Sequence, residues 1–142
     1  MPDIHHAISI AAPADVVMQL VSTGDGLRQW WAEDVDTAAD GSVSLGFFNR
    51  TTLYRLRLLE QSAGRVAWRC ETGKEWQDTE LVFRLAAERA GLRLEFVHAK
   101  WREATPYFVG CNTTWGGLMF RLKSAAEGRH PGPLFLRESL AY

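Results

Sequence analysis

The chain has 142 residues, 46% of them apolar and 23% charged, with a formal net charge of -1 and a pI near 6.4. This is the size and balance of one ordinary globular domain, able to stay folded without a metal or a disulfide staple. So neutral a chain offers no electrostatic ground for nucleic acid or an anionic membrane surface as partner.

No apolar run reaches the eighteen or so residues that a membrane span requires, so membrane insertion is not expected. Cys70 and Cys111 lie far apart with no Cys-x-x-Cys spacing, which fits a reducing compartment better than a disulfide framework or a thiolate metal site. The N-terminal MPDIHHAISIAAP lacks the charged-then-apolar order of a signal peptide. A cytoplasmic location is the expectation.

Residues 3–11 alternate, Ile4, Ile8 and Ile10 against His5 and Ser9, as in a half-buried strand. In AAPADVVMQLVS, Pro13 suits a first helical turn, Asp15 complements the helix dipole, and Val16, Val17, Leu20 and Val21 make one apolar stripe. A second short helix restarts at Gly24 and Gly26 and ends near Trp30 and Trp31.

The period then changes to two. Val43, Leu45 and Phe47; Tyr54, Leu56 and Leu58; Val66, Trp68 and Cys70; Thr79, Leu81, Phe83 and Leu85; and Leu92, Leu94, Phe96 and His98 form the apolar faces of successive strands. Arginines and glutamates occupy the alternate positions, and turn signals fall at Ala63-Gly64, Thr72-Gly73-Lys74 and Ala90-Gly91. This is an antiparallel sheet with one wet side. Its charge lattice is a solvated face. From about Cys111 the spacing turns helical through Trp115, Leu118, Met119 and Leu122, with Asn112 or Thr113 available as the cap. That helix ends at Gly128, before Pro131 and Pro133. Gly116-Gly117 in its middle costs about 1–2 kcal/mol of propensity, which a close approach to a strand or ligand explains.

One strand, two short helices, a run of about six antiparallel strands and a long final helix is the order of the helix-grip fold, an α+β architecture. The segment Ile8–Trp31, IxIxAPADVVMQLVSTGDGLRQWW, resembles the START-like, or SRPBCC, superfamily. Within it the chain is most similar to the branch named for homologues of the activator of the ninety-kilodalton heat-shock chaperone ATPase. The closing WGGLMFRLKSAAEGR, Trp115–Arg129, carries the same resemblance. It implies a START-like domain over residues 1–129: a curved sheet of about seven strands, the first beside the last, with an internal cavity between sheet and final helix. It also implies binding of lipids, sterols, hormones or polyketides in that cavity. A chaperone function is not carried over from the branch name, because the activator uses a separate N-terminal domain.

Inward parity and this topology nominate Trp31, Phe47, Tyr54, Trp68, Phe83, Phe96, Trp115 and Met119 as ligand-binding residues, with His6 and His98 as polar handles. If the first and last strands pair, the two imidazoles lie close enough to share a ligand's polar group or to titrate as one unit. His5 points to the other face, so His5-His6 is no chelate. No metal site and no cofactor are expected. Glu75, Trp76 and Asp78 fall in a hairpin. Trp101, Arg102 and Glu103 fall at the cavity mouth, where Arg102 is either a surface residue or the receiver of a ligand carboxylate, the surface role being favoured. Neither a phosphate loop nor a nucleophile elbow is present, and Cys70 reads as a small buried hydrophobe.

Residues 130–142, with Leu134, Phe135, Leu136 and Leu140, pack on the domain, cover the cavity or bridge a homodimer. Three functions follow. The first is binding of a small hydrophobic or aromatic molecule, with no catalytic residue assigned. The second is a polyketide cyclase-like enzyme using His6, His98 or Tyr54. The third is a protein-interaction or co-chaperone-like module, which predicts a filled cavity and an exposed apolar patch.

Overall fold

The structure, a computed structural model, describes residues 2–138; Leu140 lies outside them. The element order is β1 (Ile4–Ile10), α1 (Ala14–Ser22), α2 (Gly24–Arg28), β2 (Asp34–Thr37), β3 (Val43–Phe47), β4 (Thr52–Ser62), β5 (Arg65–Cys70), β6 (Glu80–Glu88), β7 (Gly91–Ala99) and α3 (Pro106–Ala126). The strands form one seven-stranded antiparallel sheet in the order β1-β7-β6-β5-β4-β3-β2. Strands β2 to β7 follow one another through short turns, and β1 closes the order by lying beside β7, with Ile4 opposite His98 and His6 opposite Phe96.

Alternation sets the faces. Leu56, Val66, Trp68, Cys70, Leu81, Phe83, Leu94 and Phe96 are buried on one side. On the other, Arg55 and Arg57 pair with Glu71, Arg69 with Asp78, and Arg93 with Glu95. Exposed pairs of this kind contribute about 0–1 kcal/mol each and keep the outer face solvated. A register shift between Leu58 and Glu60 marks a bulge in long β4.

The helices cover the inner face. Helix α1 is capped by Pro13 in extended conformation, one residue before the helix proper. Val17, Leu20 and Val21 are buried, whereas Val16 turns outward, 38% exposed, and leaves the expected stripe. The last turn of α1 leaves carbonyls without helical partners. Two indoles take them: Trp30 Nε1 donates to Leu20 O (2.9 Å) and Trp68 Nε1 donates to Val21 O (2.8 Å). Helix α2 starts on Thr23, whose hydroxyl accepts from Gly26 N. A Cβ at residue 26 would lie 2.1 Å from Gln19 O, so the α1–α2 crossing requires glycine there.

Helix α3 begins five residues earlier than its apolar spacing suggests. Thr105 is its cap, accepting from Phe108 N, and Pro106 sits in the first turn. Asn112 and Thr113 are interior positions. Strand β2 was also hidden from the pattern, since DVDT has no alternation to read. The presumed loop residues Trp76 and Trp101 are both core, 4% and 1% exposed.

Beyond α3 the chain doubles back. Arg121 binds Gly132 O (2.8 Å) and Pro131 O (2.9 Å). Leu134 N and Phe135 N donate to Trp30 O and Trp31 O, and Glu33 N donates to Phe135 O. Arg137 O accepts from Asn49 N, and Arg137 pairs with Asp34. Residues 131–137 therefore form a strap across the open end between sheet and α3. No helix among the described residues is long and apolar enough to cross a membrane.

Candidate functional site

Between the inner face of the sheet and α3 lies a cavity walled by Trp31, Phe47, Tyr54, Trp76, Cys111, Thr114, Trp115, Leu118 and Phe135. Its volume is about 20 Å³, room for roughly one water molecule. The space is filled by rings. Tyr54 and Trp76 stack with centroids 3.9 Å apart and planes 6° from parallel. Trp76 and Trp115 lie 6.1 Å apart at 20°, and Trp31 meets Trp115 at 5.0 Å. Phe135 stands edge-on to Phe47 at 5.1 Å and 86°. Gly73, at φ +125°, makes the Tyr54–Trp76 stack possible, because a Cβ there would come 2.6 Å from the Tyr54 ring.

Among the described residues, the wall holds no carboxylate, ammonium, guanidinium or imidazole. Its polar groups are few. Thr114 Oγ1 donates to Gly110 O within α3, and the Tyr54 and Tyr107 hydroxyls bond to each other. Among the described residues Trp76 Nε1 is buried with no hydrogen-bond partner, a condition that only Trp101 Nε1 shares. An interior donor left unpaired costs about 1–3 kcal/mol, and such groups in native folds call for an explanation. Tyr54 also lines an outer groove of about 440 Å³ with Gly73, Lys74, Glu75 and Tyr107. Tyr54 is thus shared by groove and cavity, whereas Tyr107 lines the groove alone.

Behind the wall, His98 is fully buried. Trp115 Nε1 can only donate, so its 3.1 Å bond makes His98 Nδ1 an acceptor. Thr79 gives its hydroxyl proton to Trp76 O (2.6 Å), so Thr79 Oγ1 accepts from His98 Nε2–H at 2.8 Å. The imidazole is neutral in one tautomer, and burial pushes its pKa down to about 3. A second proton would have to sit on Nδ1, facing an N–H. Beside it, burial pushes the Cys70 thiol up to about 12, which leaves it a thiol and not a nucleophile.

The nominated residues divide. Trp31, Phe47, Tyr54 and Trp115 meet at the cavity. Trp68, Phe83, Phe96 and Met119 are buried but off its wall: Trp68 is tied to α1, Phe83 and Phe96 pack on each other at 5.1 Å, and Met119 fills the core under α3. His6 and His98 share a face but do not bond to each other. Register sets His6 opposite Phe96, where Nε2 lies 3.2 Å from Asn112 O on α3. Pattern reading passed over Trp76 and Phe135, which lie in a turn and a tail with no periodicity. Leu118 and Cys111 did carry a signal, the helical spacing they share with Trp115. Arg102 lines a separate polar groove of about 340 Å³ with Lys74, Glu75, Gln77, Trp101, Glu103 and Thr105. Among the described residues, no group of three His, Cys, Asp or Glu side chains forms a metal site.

A protein named Aha1 from Colwellia psychrerythraea, whose solution structure is that of a dimer, superposes with a TM-score of 0.80. It is 27% identical, over 91% of this chain and 98% of that one. The chain has the START-like fold. CalU16 from Micromonospora echinospora (TM-score 0.72, 21% identity, 93% of this chain and 69% of that one) shares this START-like architecture. So does DynU16, a protein of the dynemicin biosynthetic locus (0.75, 14%, 94% and 50%). No protein-family model and no curated protein matches the START-like chain by sequence.

Proposed function

We propose that this protein binds a small, uncharged, planar apolar molecule between the sheet and α3. The observation that carries the reading is Trp76: it belongs to an otherwise apolar aromatic wall, and its indole N–H is buried without an acceptor. A ligand with one carbonyl or ether oxygen supplies that acceptor and exchanges its own apolar surface for ring contacts. A carboxylate does not suit the site, because no cation in the wall offsets its desolvation. The cavity holds about 20 Å³, so binding requires rings to move apart.

Binding is favoured over catalysis by the state of His98. Its two nitrogens are committed to Thr79 and Trp115, and burial, which lowers its pKa to about 3, keeps it neutral near neutral pH. The test is a titration with prodan, an uncharged naphthyl ketone whose emission reports polarity, alongside 2-naphthoate. Saturable, blue-shifted prodan emission without naphthoate binding supports the reading. Absence of prodan binding, together with an empty protein in native mass spectrometry, contradicts it.

A second reading, self-association as a homodimer, rests on a different observation. On the outer side of α3, Val109 and Phe120 are 59% and 69% exposed and lie eleven residues apart, on one helical face. The dimeric state of the Colwellia protein makes a second copy of this chain the partner that face suits. The two readings are compatible, because the face is turned away from the cavity.

A further inference from the structure

We infer that Phe135 stands in the ligand's place: the strap of residues 131–137 is a built-in competitor whose ring fills the part of the pocket that an aromatic ligand takes when the strap lifts. This rests on the ligand-binding reading and adds to it an occupant, a route of entry and a residue that sets affinity.

Four observations carry it. Among the described wall residues, Phe135 is the one that lies beyond α3, in a segment outside the helices and the seven-stranded sheet. It is 4% exposed and makes edge-on contacts to Phe47 at 5.1 Å and Phe48 at 6.0 Å, as a bound aromatic molecule would. Removing one benzyl group from a dry interior opens a void approaching the roughly 150 Å³ class of cavity that takes up benzene, whereas the cavity with Phe135 in place holds about 20 Å³.

The strap is held by separable bonds and not by a helix or a full strand pairing. Among them are one isolated parallel bridge, Ala32 with Phe135, the bond from Leu134 N to Trp30 O at 3.2 Å, the clamp of Arg121 on Pro131 O and Gly132 O, the bond from Arg137 N to Glu33 Oε1 at 2.8 Å, and the Arg137–Asp34 pair at 3.3 Å. Its near end carries backbone that departs from the extended form, with His130 at φ +50° and Gly132 at φ +75°. Its far end docks on a strained turn. Phe48, Asn49 and Arg50 all have positive φ (55°, 55° and 66°), and Asn49 N donates to Arg137 O. Three consecutive non-glycine residues in the left-handed region are rare, and surrounding contacts must hold them there. Strap and turn hold each other closed, and lifting the strap frees the turn.

The site under the strap selects its ligand by the same chemistry. It favours a ring that replaces the Phe135 phenyl against Phe47, joined to an oxygen that reaches Trp76 Nε1. Each half explains one feature that the protein's own residues leave incomplete, a displaceable ring and an unpaired donor.

The experiment compares prodan affinity in wild type, Phe135→Ala and Arg121→Gln, with melting temperature confirming that each is folded. The inference predicts tighter binding by about tenfold or more in Phe135→Ala and by about threefold in Arg121→Gln, because Arg121 clamps the strap from outside the cavity. Hydrogen exchange on wild type supplies a readout that needs no variant: prodan should speed exchange at the Phe135 and Glu33 amides. Unchanged or weaker binding in Phe135→Ala, or slower exchange along the strap on binding, overturns the inference while leaving the ligand-binding reading intact. Failure of both wild type and Phe135→Ala to bind prodan overturns the two together.

Discussion

At His98 every proton has one place to go: Trp115 donates into Nδ1, Nε2–H donates to Thr79, and Thr79 passes its own hydrogen to Trp76 O. An unfolded histidine takes a proton near pH 6.5, whereas this one resists until about pH 3. Between those values the unfolded state binds more protons than the native state, so stability is complete above pH ~6.5 and is lost on acidification, by up to about 1.4 kcal/mol per pH unit. The carboxylates of Asp40 and Glu127 are held at about 2, Asp40 chiefly by Ser42 and Glu127 chiefly by Lys123, so their losses come at lower pH. Urea unfolding between pH ~5 and ~7 should therefore show a steep decline in wild type and a flatter one in His98→Gln. Parallel slopes would remove His98 from the acid response. In the sequence, parity alone placed His98 inward, and its locked state was not legible. The lock depends on the Trp76 turn and on Trp115, elements far apart in the chain.

Elements read well where periodicity is strong. The five long central strands and the body of α3 announce themselves by spacing, and register follows from which face is buried. The start of α3 was missed because Tyr107, Phe108 and Val109 continue no clear stripe; the signal there is the Thr105-Pro106 cap and first-turn proline. The turn of residues 73–79 joins β5 to β6 as the expected hairpin, but its inward course was not legible, because it folds on Gly73 and Asp78, both at positive φ, and a turn carries no face to read. The glycine pair in α3 tells a related story. A Cβ at 116 would touch His6 at an ordinary 3.5 Å, and at 117 it would meet nothing within 4 Å. The expected close approach is absent at Gly117, which is exposed on the helix. Gly117→Ala should thus stabilise the protein by about 1 kcal/mol, measured as a rise in urea midpoint with unchanged slope. A loss of stability would mean that α3 is not regular there.

The whole molecule combines an aromatic interior closed to nearly nothing with one strap and one apolar outer face. The alternatives set by the sequence were an open cavity for binding and a filled one for interaction. The structure has the nearly filled cavity and the exposed apolar side chains on α3 that the interaction reading expects, and the binding reading rests on part of that filling coming from a segment not integral to the sheet or α3. The architecture was legible because the segments Ile8–Trp31 and Trp115–Arg129 resemble one superfamily. The pocket was legible only in part: Trp31, Phe47, Tyr54 and Trp115 are marked by the sequence, whereas Trp76 and Phe135 come from a turn and the tail, where no period marks a face. At this scale the exposed face of α3 makes a separate prediction. Phe120→Asp should shift sedimentation toward the monomer at micromolar concentration without lowering the melting temperature by more than the loss of association requires. An unchanged sedimentation coefficient in both proteins would remove α3's outer face from self-association.

The central claim turns on Trp76, and the most direct measurement is the indole N–H region of a proton–nitrogen NMR spectrum, with the Trp76 signal assigned by Trp76→Phe. On saturation with prodan, the Trp76 resonance should move downfield as its Nε1–H gains an acceptor. Those of Trp30 and Trp68, already bonded to Leu20 O and Val21 O, should stay within their linewidths. A Trp76 signal that holds still while prodan binds, or while the protein ignores it, would contradict the account.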